Sequence, residues 1–321
     1  MKRLCVIFVC IIIFDTNLIS QQICKFEDET IKCIYERTQG RIDGKYVSYY
    51  KNGEKKAEGF FRNNYRNGLW SVWDSTGKLR MQRNYTDPFT FKRIIPVVPK
   101  DKPIELLNIP QYRLSYNDKG FIDYYKIKEI NGRWTKVVYR YLTPQDNPLL
   151  FKNDLLFKIF TRNIELKKVP VYNATDEYFE KESSITIDIS NFKVIAYKLN
   201  EVNIFDDNRF VLESRLLGIL PVAINKQTND TVDLFLIYFP EIREFLAQEK
   251  IKQTDLPEEV KSYDDLFFFR YYYGQIYKEA NATNKSIAEY KTGEEIKKEA
   301  ERIEIEIIEY EHDTWIGYTK Q

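Results

Sequence analysis

The hydrophobic rhythm of the chain changes about halfway along. Up to residue 142, apolar and aromatic positions come in short alternating runs broken by Gly-containing turns, the pattern of half-buried strands. Gly44-Lys45-Tyr46 and Gly68-Leu69-Trp70 align at an offset of 24 residues, a register that also sets Tyr49 on Trp73 and Gly53 on Gly77. Each unit reads as an aromatic strand closed by a glycine turn, at Lys51-Asn52-Gly53, Arg66-Asn67-Gly68 and Ser75-Thr76-Gly77. Beyond residue 150 helical spacing appears. Leu155, Leu156, Ile159 and Phe160 share one face of a short helix. Ile185, Ile187 and Ile189 alternate as a strand over 184–199, and 211–224 and 232–239 read as buried strands. Pro240 suits the first turn of a helix over 241–250. A further helix is expected over 264–279, with Asp264 or Ser262 at its N-cap. The last helix, 294–311, places Ile296, Ala300, Ile303, Ile307 and Tyr310 on one face. It covers roughly two and a half heptads, which favours packing within the chain over a coiled coil.

Together these elements predict an α+β protein: a β-hairpin repeat module, then a mixed α+β domain ending in a long amphipathic helix. Pro88, Pro96, Pro99, Pro103 and Pro110 interrupt the strand pattern and suggest a linker at 87–110. The expected organisation is a signal peptide at 1–20, the repeat module at 21–86, that linker, a second hairpin segment at 111–148 around Asn117-Asp118-Lys119-Gly120 and Asn131-Gly132, and the α+β domain at 149–321. The leader is suggested by Lys2 and Arg3 ahead of an apolar run at 4–14, with Ser20 as the last residue before cleavage. That run is too short to cross a bilayer as a helix, which takes about 20 residues. A buried N-terminal element is the competing reading. Ile23 before Cys24 does not fit a lipoprotein signal, which needs a small residue there. The expected address is a secreted, oxidising compartment, and there Cys24 and Cys33 are expected to form a small-loop disulfide.

Composition narrows the function classes. Aromatic residues make up 15% of the 321, so the chain can fill a sheet-rich core and is not disordered. Lys+Arg number 49 and Asp+Glu 48; loss of Lys2, Arg3 and Asp15 with the leader leaves 47 of each. A neutral chain without a basic aromatic-interleaved run has no electrostatic case for nucleic acid. His312 is the only histidine, which excludes a multi-histidine metal site and weakens any His-based nucleophilic mechanism. It is expected just past the last helix, as a contact to that helix terminus. Asp206-Asp207 and Asp264-Asp265 lack the spacing of a calcium loop. No phosphate-binding glycine loop or nucleophile elbow is present, and a two-carboxylate hydrolase rests on nothing beyond the secreted address. No catalytic residue, cofactor or metal is expected.

Arg243 and Arg270 sit in aromatic surroundings, Tyr238-Phe239-Pro240-Glu241-Ile242-Arg243 and Phe267-Phe268-Phe269-Arg270-Tyr271. Each needs an acidic or carbonyl partner, either in the fold or across a subunit contact. Residues 267–273 are all aromatic except Arg270, more than one helix can hide in a single core. Tyr238, Arg243, Phe268, Arg270 and Tyr272 are therefore candidate contact residues. Tyr46, Trp70 and Trp73 join them, on the alternative reading that the hairpin surface is a binding module for a protein partner. Partner binding by residues 21–142 alone would favour that alternative.

The hairpin units resemble MORN-variant repeats of the YwqK type. The later part resembles the GldN/PorN family of gliding-motility and type IX secretion proteins of Bacteroidota. That resemblance runs from about residue 149 to 315. It lies in the order of Val169-Pro170-Val171-Tyr172, Asp176-Glu177-Tyr178-Phe179, Leu217-Gly218-Ile219 with Pro221, Ile237–Arg243, Asp264-Asp265-Leu266-Phe267 with Arg270, Ile276-Tyr277-Lys278-Glu279, Glu301-Arg302-Ile303, and Glu311-His312-Asp313 with Trp315. It implies a non-enzymatic periplasmic subunit that self-associates in a ring with a GldK/PorK-type outer-membrane lipoprotein and meets the membrane only through that partner.

Overall fold

A computed structural model describes residues 19–87, 90–95, 115–124, 126–127, 132–183, 191–207, 211–252 and 256–318. Two antiparallel sheets face each other across the last helix. The first has seven strands in sequence order: β1 (Ser20–Lys25), β2 (Ile31–Thr38), β3 (Arg41–Tyr49), β4 (Lys55–Arg62), β5 (Tyr65–Trp73), β6 (Leu79–Asp87) and β7 (Thr90–Ile95). The 24-residue offset is a structural period. β2, β4 and β6 begin 24 residues apart, as do β3 and β5, and the aligned Cys33, Ala57 and Met81 all lie in the core. Two turn types alternate. Glu29, Gly53 and Gly77 occupy equivalent positive-φ positions in the longer turns. Gln39-Gly40 and Asn63-Asn64 have two successive positive φ values, as a two-residue type I′ hairpin requires. The tight turn is thus Asn63-Asn64, and the expected turn at Arg66-Asn67-Gly68 is instead the interior of β5. Asn and Gly both tolerate the left-handed region, so composition alone pointed to the wrong pair.

The second sheet runs β11 (Thr231–Asp233), β10 (Val211–Asn225), β9 (Phe192–Asp206), β8 (Gly132–Leu142), β13 (Gln275–Glu279), with β12 (Ile237–Tyr238) pairing β10. One face carries α1 (Pro148–Phe151), α2 (Leu155–Glu165), α3 (Phe239–Gln248) and α4 (Tyr263–Phe268) over a core that includes Leu199, Ile219, Phe239, Leu246 and Phe267. The opposite face, with Ala196, Leu220 and Val222, is covered by the segment around Tyr172–Phe179.

The expected boundaries shift accordingly. β7 lies within the predicted 87–110 linker, because Thr90–Ile95 alternates well enough to pair with β6; residues 96–110 lie outside the described residues. The 111–148 segment is not a separate hairpin unit. Tyr116 and Ile122 bridge across the Asn117 turn, but β8 is a central strand of the second sheet, paired to β9 and β13. The predicted leader lies outside the described residues save Ile19 and Ser20, and Ser20 already belongs to β1. Residues 184–190, with the alternating isoleucines, also lie outside them; β9 begins at Phe192.

Helix 264–279 does not form. α4 starts behind an N-cap Ser262 that accepts from the Asp265 amide, as expected, and ends at Phe268. Arg270 then takes a left-handed φ of 48° and the chain re-enters as β13. Breaking the helix is what allows Phe267, Phe268, Phe269 and Tyr272 all to reach the core, which one helical face could not do. Likewise 232–239 splits into β11, β12 and the first residue of α3.

The final helix, α5 (Glu294–Tyr318), outruns its predicted end and buries two faces. Ala300, Ile303 and Ile307 pack on Val138 and Ile276 of the second sheet, and Tyr310 stacks on Trp134 with ring centroids 4.2 Å apart. Ile305, Trp315 and Ile316 point the other way, into the aromatic face of the first sheet. The helix is a wedge that glues the two sheets.

Candidate assembly surface

Among the described residues, several charged clusters lie in the interior. On α5, Glu309 accepts from Tyr46 Oη at 2.6 Å and pairs with Lys56 at 2.5 Å, while His312 Nδ1 lies 3.2 Å from the same carboxylate. His312 is fully buried inside the helix rather than past its end, against the rings of Tyr46, Trp70 and Trp315. Its Nε2 receives Arg66 Nη2 at 3.0 Å, so the ring is neutral with Nδ1 protonated. Burial lowers its pKa, against the bond to Glu309 that raises it. Burial would raise Glu309, but His312 and Lys56 hold it far below the ordinary carboxylate range. Arg66 also pairs with Glu311 at 2.6 Å. Glu304 bridges Arg37 of the first sheet and Arg140 of the second; against the effect of burial, the two guanidiniums bring it to about 2.

The predicted contact residues fall into this interior. Arg243 forms a two-point pair with Asp264 at 2.8 and 2.9 Å, donates to the Ile122 carbonyl, and lies among the rings of Phe121, Tyr124, Phe239 and Phe268. Arg270 donates to Glu201 at 3.1 Å, and Tyr272 Oη donates to the other oxygen of that buried carboxylate at 2.6 Å. Arg140 completes the cluster at 2.9 Å. Tyr46, Trp70, Arg243, Phe268 and Tyr272 are buried and serve the fold, so they offer no anchors on the surface of the folded chain. The alternative of a hairpin binding face loses its centre for the same reason: α5 covers Tyr46 and Trp70. Trp73, Tyr238 and Arg270 keep partial exposure. Trp73 sits beneath the Lys55 ammonium, and Tyr238 packs on Phe179.

Cys24 and Cys33 face each other directly across β1 and β2 as thiols. A hydrogen bond from Cys33 lowers the Cys24 pKa, and the same contact together with burial raises that of Cys33. Among the described residues no group of three or more His, Cys, Asp or Glu is arranged to hold a metal, and no helix is long and apolar enough to cross a membrane.

The most exposed aromatic side chain among the described residues lies in a loop that sequence reasoning did not single out, at 173–183. Several side chains anchor it. Asn173 Oδ1 receives the Thr175 amide and hydroxyl, and the Asp176 carboxylate receives the amides of Glu180 and Lys181. Glu177 accepts from Tyr139 Oη at 2.6 Å and from Lys278. Phe179, at a positive φ of 57°, is pressed between Tyr172, Tyr238 and the bare backbone of Gly218, where a Cβ would stand 2.8 Å from its ring. Between these anchors Tyr178 projects with 82% of its surface exposed, more than any other large apolar side chain among the described residues. Asn173 and Asp176, both turn formers, are the only sequence signal of it.

A profile of the family "Gliding motility associated protein GldN" matches residues 127–316, more than half of the chain, and the chain belongs to that family. The match opens just before β8, so the second sheet with all its helices is the family's domain and the seven-stranded sheet precedes it. No curated protein matches the chain. Membership makes it a component of the gliding-motility and type IX secretion machinery, in a periplasmic, structural family rather than an enzyme family.

Proposed function

We propose that the chain is a non-enzymatic periplasmic scaffold subunit that assembles into a ring with a GldK/PorK-like outer-membrane lipoprotein and touches the membrane only through that partner. The observation that carries this reading is the contrast between interior and surface. The buried charged clusters close on themselves at Glu201, Glu304 and Glu309, while the 173–183 loop, anchored through Asn173, Asp176, Glu177 and Phe179, displays Tyr178. Holding an aromatic rigid in solvent has no benefit for the isolated fold and lowers the entropy cost of a contact. Cleavage of a leader near Ser20 accounts for its delivery, and a Cys24–Cys33 disulfide fits the oxidising compartment. The first sheet is a MORN-variant-like repeat array, supported by its 24-residue period and alternating turns.

The test is affinity purification of the tagged chain from gently solubilised envelopes, with mass spectrometry and sizing. An outer-membrane lipoprotein in a large particle of fixed stoichiometry is expected. A monomer without an envelope partner, or a deletion strain that still glides and secretes normally, overturns the proposal.

A further inference from the structure

We propose that the outer edge of β1 takes an extended segment of a partner polypeptide, which joins the first sheet antiparallel as an eighth strand. The array opens halfway through a unit. In the units that follow, a leading strand (β2, β4) is joined by a tight turn to a trailing strand (β3, β5). β1 is in phase with the trailing strands: Gln22 stands 24 residues before Tyr46, and the two flank Tyr35 in register. The strand that would lead β1 is therefore the one the array lacks, and among the described residues no strand pairs with that edge. The other sheet edges are guarded. β7 carries Lys92 and Arg93 in its middle, β11 is three residues long, and β13 is bridged by Ser286 at Lys278. β1 has neither charge nor proline from Ser20 to Cys24, and Ile19 and Ile23 beside it are 63% and 53% exposed. An uncharged edge with exposed apolar side chains is a template for another strand.

The interface between helix and sheet continues past this edge. Trp315 meets Arg83 on β6, Glu309 meets Tyr46 on β3, Glu304 meets Arg37 on β2, and the Glu301 carboxylate acts on the Cys24 thiol of β1. Contact moves towards the start of α5 as it moves towards β1, so residues 294–300 reach beyond the sheet. At 1.5 Å per residue that overhang is about 10 Å, and one more strand takes about 4.8 Å of it. Glu294, Glu295, Lys297 and Lys298 are exposed there. They set the chemistry of the guest. Its residues opposite Gln22 and Cys24 point towards these mixed charges and are polar. Its residue opposite Ile23 points to the far face, where Ile23, Ile34 and Val47 lie side by side in register, and is apolar. The guest is a short segment that alternates apolar with polar residues and is held by main-chain hydrogen bonds.

The experiment is residue-level hydrogen exchange on the purified, processed chain, with and without a synthetic peptide of the length of β1 that alternates valine with threonine and glutamate. Alternate amides of an edge strand face solvent. Those of β1 are expected to exchange freely in the chain alone and to slow about tenfold or more with saturating peptide. A peptide of the same composition with its valines consecutive should leave them fast. Ile23→Lys puts a charge beside the guest at an exposed position and should weaken peptide binding at least about tenfold. Ile94→Lys, exposed on the opposite edge, should leave binding unchanged and serves as the control. Amides of β1 already slow without peptide would mean that the chain fills its own edge, and overturn the proposal. So would a peptide that leaves β1 fast, a shuffled peptide that protects it equally, or wild-type binding by Ile23→Lys. The edge is separate from the ring contacts proposed above, so either reading can fail while the other stands.

Discussion

Replacing Glu309 by Ala should destabilise the whole chain, because this carboxylate is where the helix and the first sheet are pinned together. Its removal strands the Lys56 ammonium, whose side chain is nearly buried. The remaining partner is Asp313, 2.8 Å away but with 62% of its side chain exposed. It also removes the acceptor of Tyr46 Oη and of His312 Nδ1. Breaking a buried pair by deleting one member costs about 3–5 kcal/mol, and a rim pair such as Lys56–Asp313 returns at most about 1 kcal/mol. A net loss of about 3 kcal/mol lowers Tm by about 6 °C at the roughly 2 °C per kcal/mol typical of larger domains. Calorimetry at pH 7 measures this, with Lys56→Met/Glu309→Leu as the decisive companion. If the cost comes from an orphaned charge, the double variant should recover the share due to Lys56, since apolar replacement of both members of a buried pair is often neutral, and should keep the share due to Tyr46 Oη and His312 Nδ1, which still lack an acceptor. A loss below about 1 kcal/mol for Glu309→Ala, or a double variant no more stable than the single one, would refute the reasoning.

Stability should fall on acidification in two stages. His312 is held neutral by burial, so the unfolded chain takes up its proton first, and stability drops once pH passes below about 6.5. Glu304 is held at about 2 by Arg37 and Arg140 against its ordinary 4.5, so its contribution, full above 4.5, disappears as pH falls from there towards 2. Urea midpoints between pH 7.5 and 3 that stay level would contradict both assignments. Non-reducing peptide mapping of protein taken from the envelope should join Cys24 to Cys33, and reduction should cost about 2–3 kcal/mol for so short a loop; free, alkylatable thiols in that material would exclude the bond. Gly59→Ala should cost at least about 1–3 kcal/mol, because the new Cβ would stand 2.3 Å from the Trp70 ring. Unchanged thermal stability would mean that the two strands can part without penalty.

The sequence carried the parts of this fold that are periodic and local. The 4-3-4-3 spacing on α5 identified its face towards the second sheet, and the 24-residue offset identified the hairpin units. It did not carry the other face of α5, because Glu304, Glu309, Glu311 and His312 look like a solvated stripe until their partners are known. Those partners, Arg37, Lys56 and Arg66, lie more than 240 residues earlier in the chain, and no local pattern links residues so far apart. The same blindness turned buried aromatics into contact candidates. Tyr46 and Trp70 would be exposed on a lone hairpin sheet; they are interior only because the last helix returns to cover them. Tyr178 was missed for the converse reason. Its exposure is set by the anchoring of Glu177 and Phe179 to strands and loops distant in sequence, while a single Tyr among charged residues has no period to detect.

The fit between repeat sheet and helix also acts as a gauge. Seven strands about 4.8 Å apart span about 29 Å, and a 25-residue helix reaches about 37 Å. Its side chains meet the sheet from Arg37 on β2 to Arg83 on β6. A repeat array can gain or lose a 24-residue unit without disturbing its own register, and each unit changes its width by about 10 Å. One unit more would push aromatic rings past the tip of the helix into solvent. One unit fewer would leave Trp315 or Glu309 facing nothing. The copy number of the repeat is therefore measured against the length of α5, and lineages that vary one should be found to vary the other.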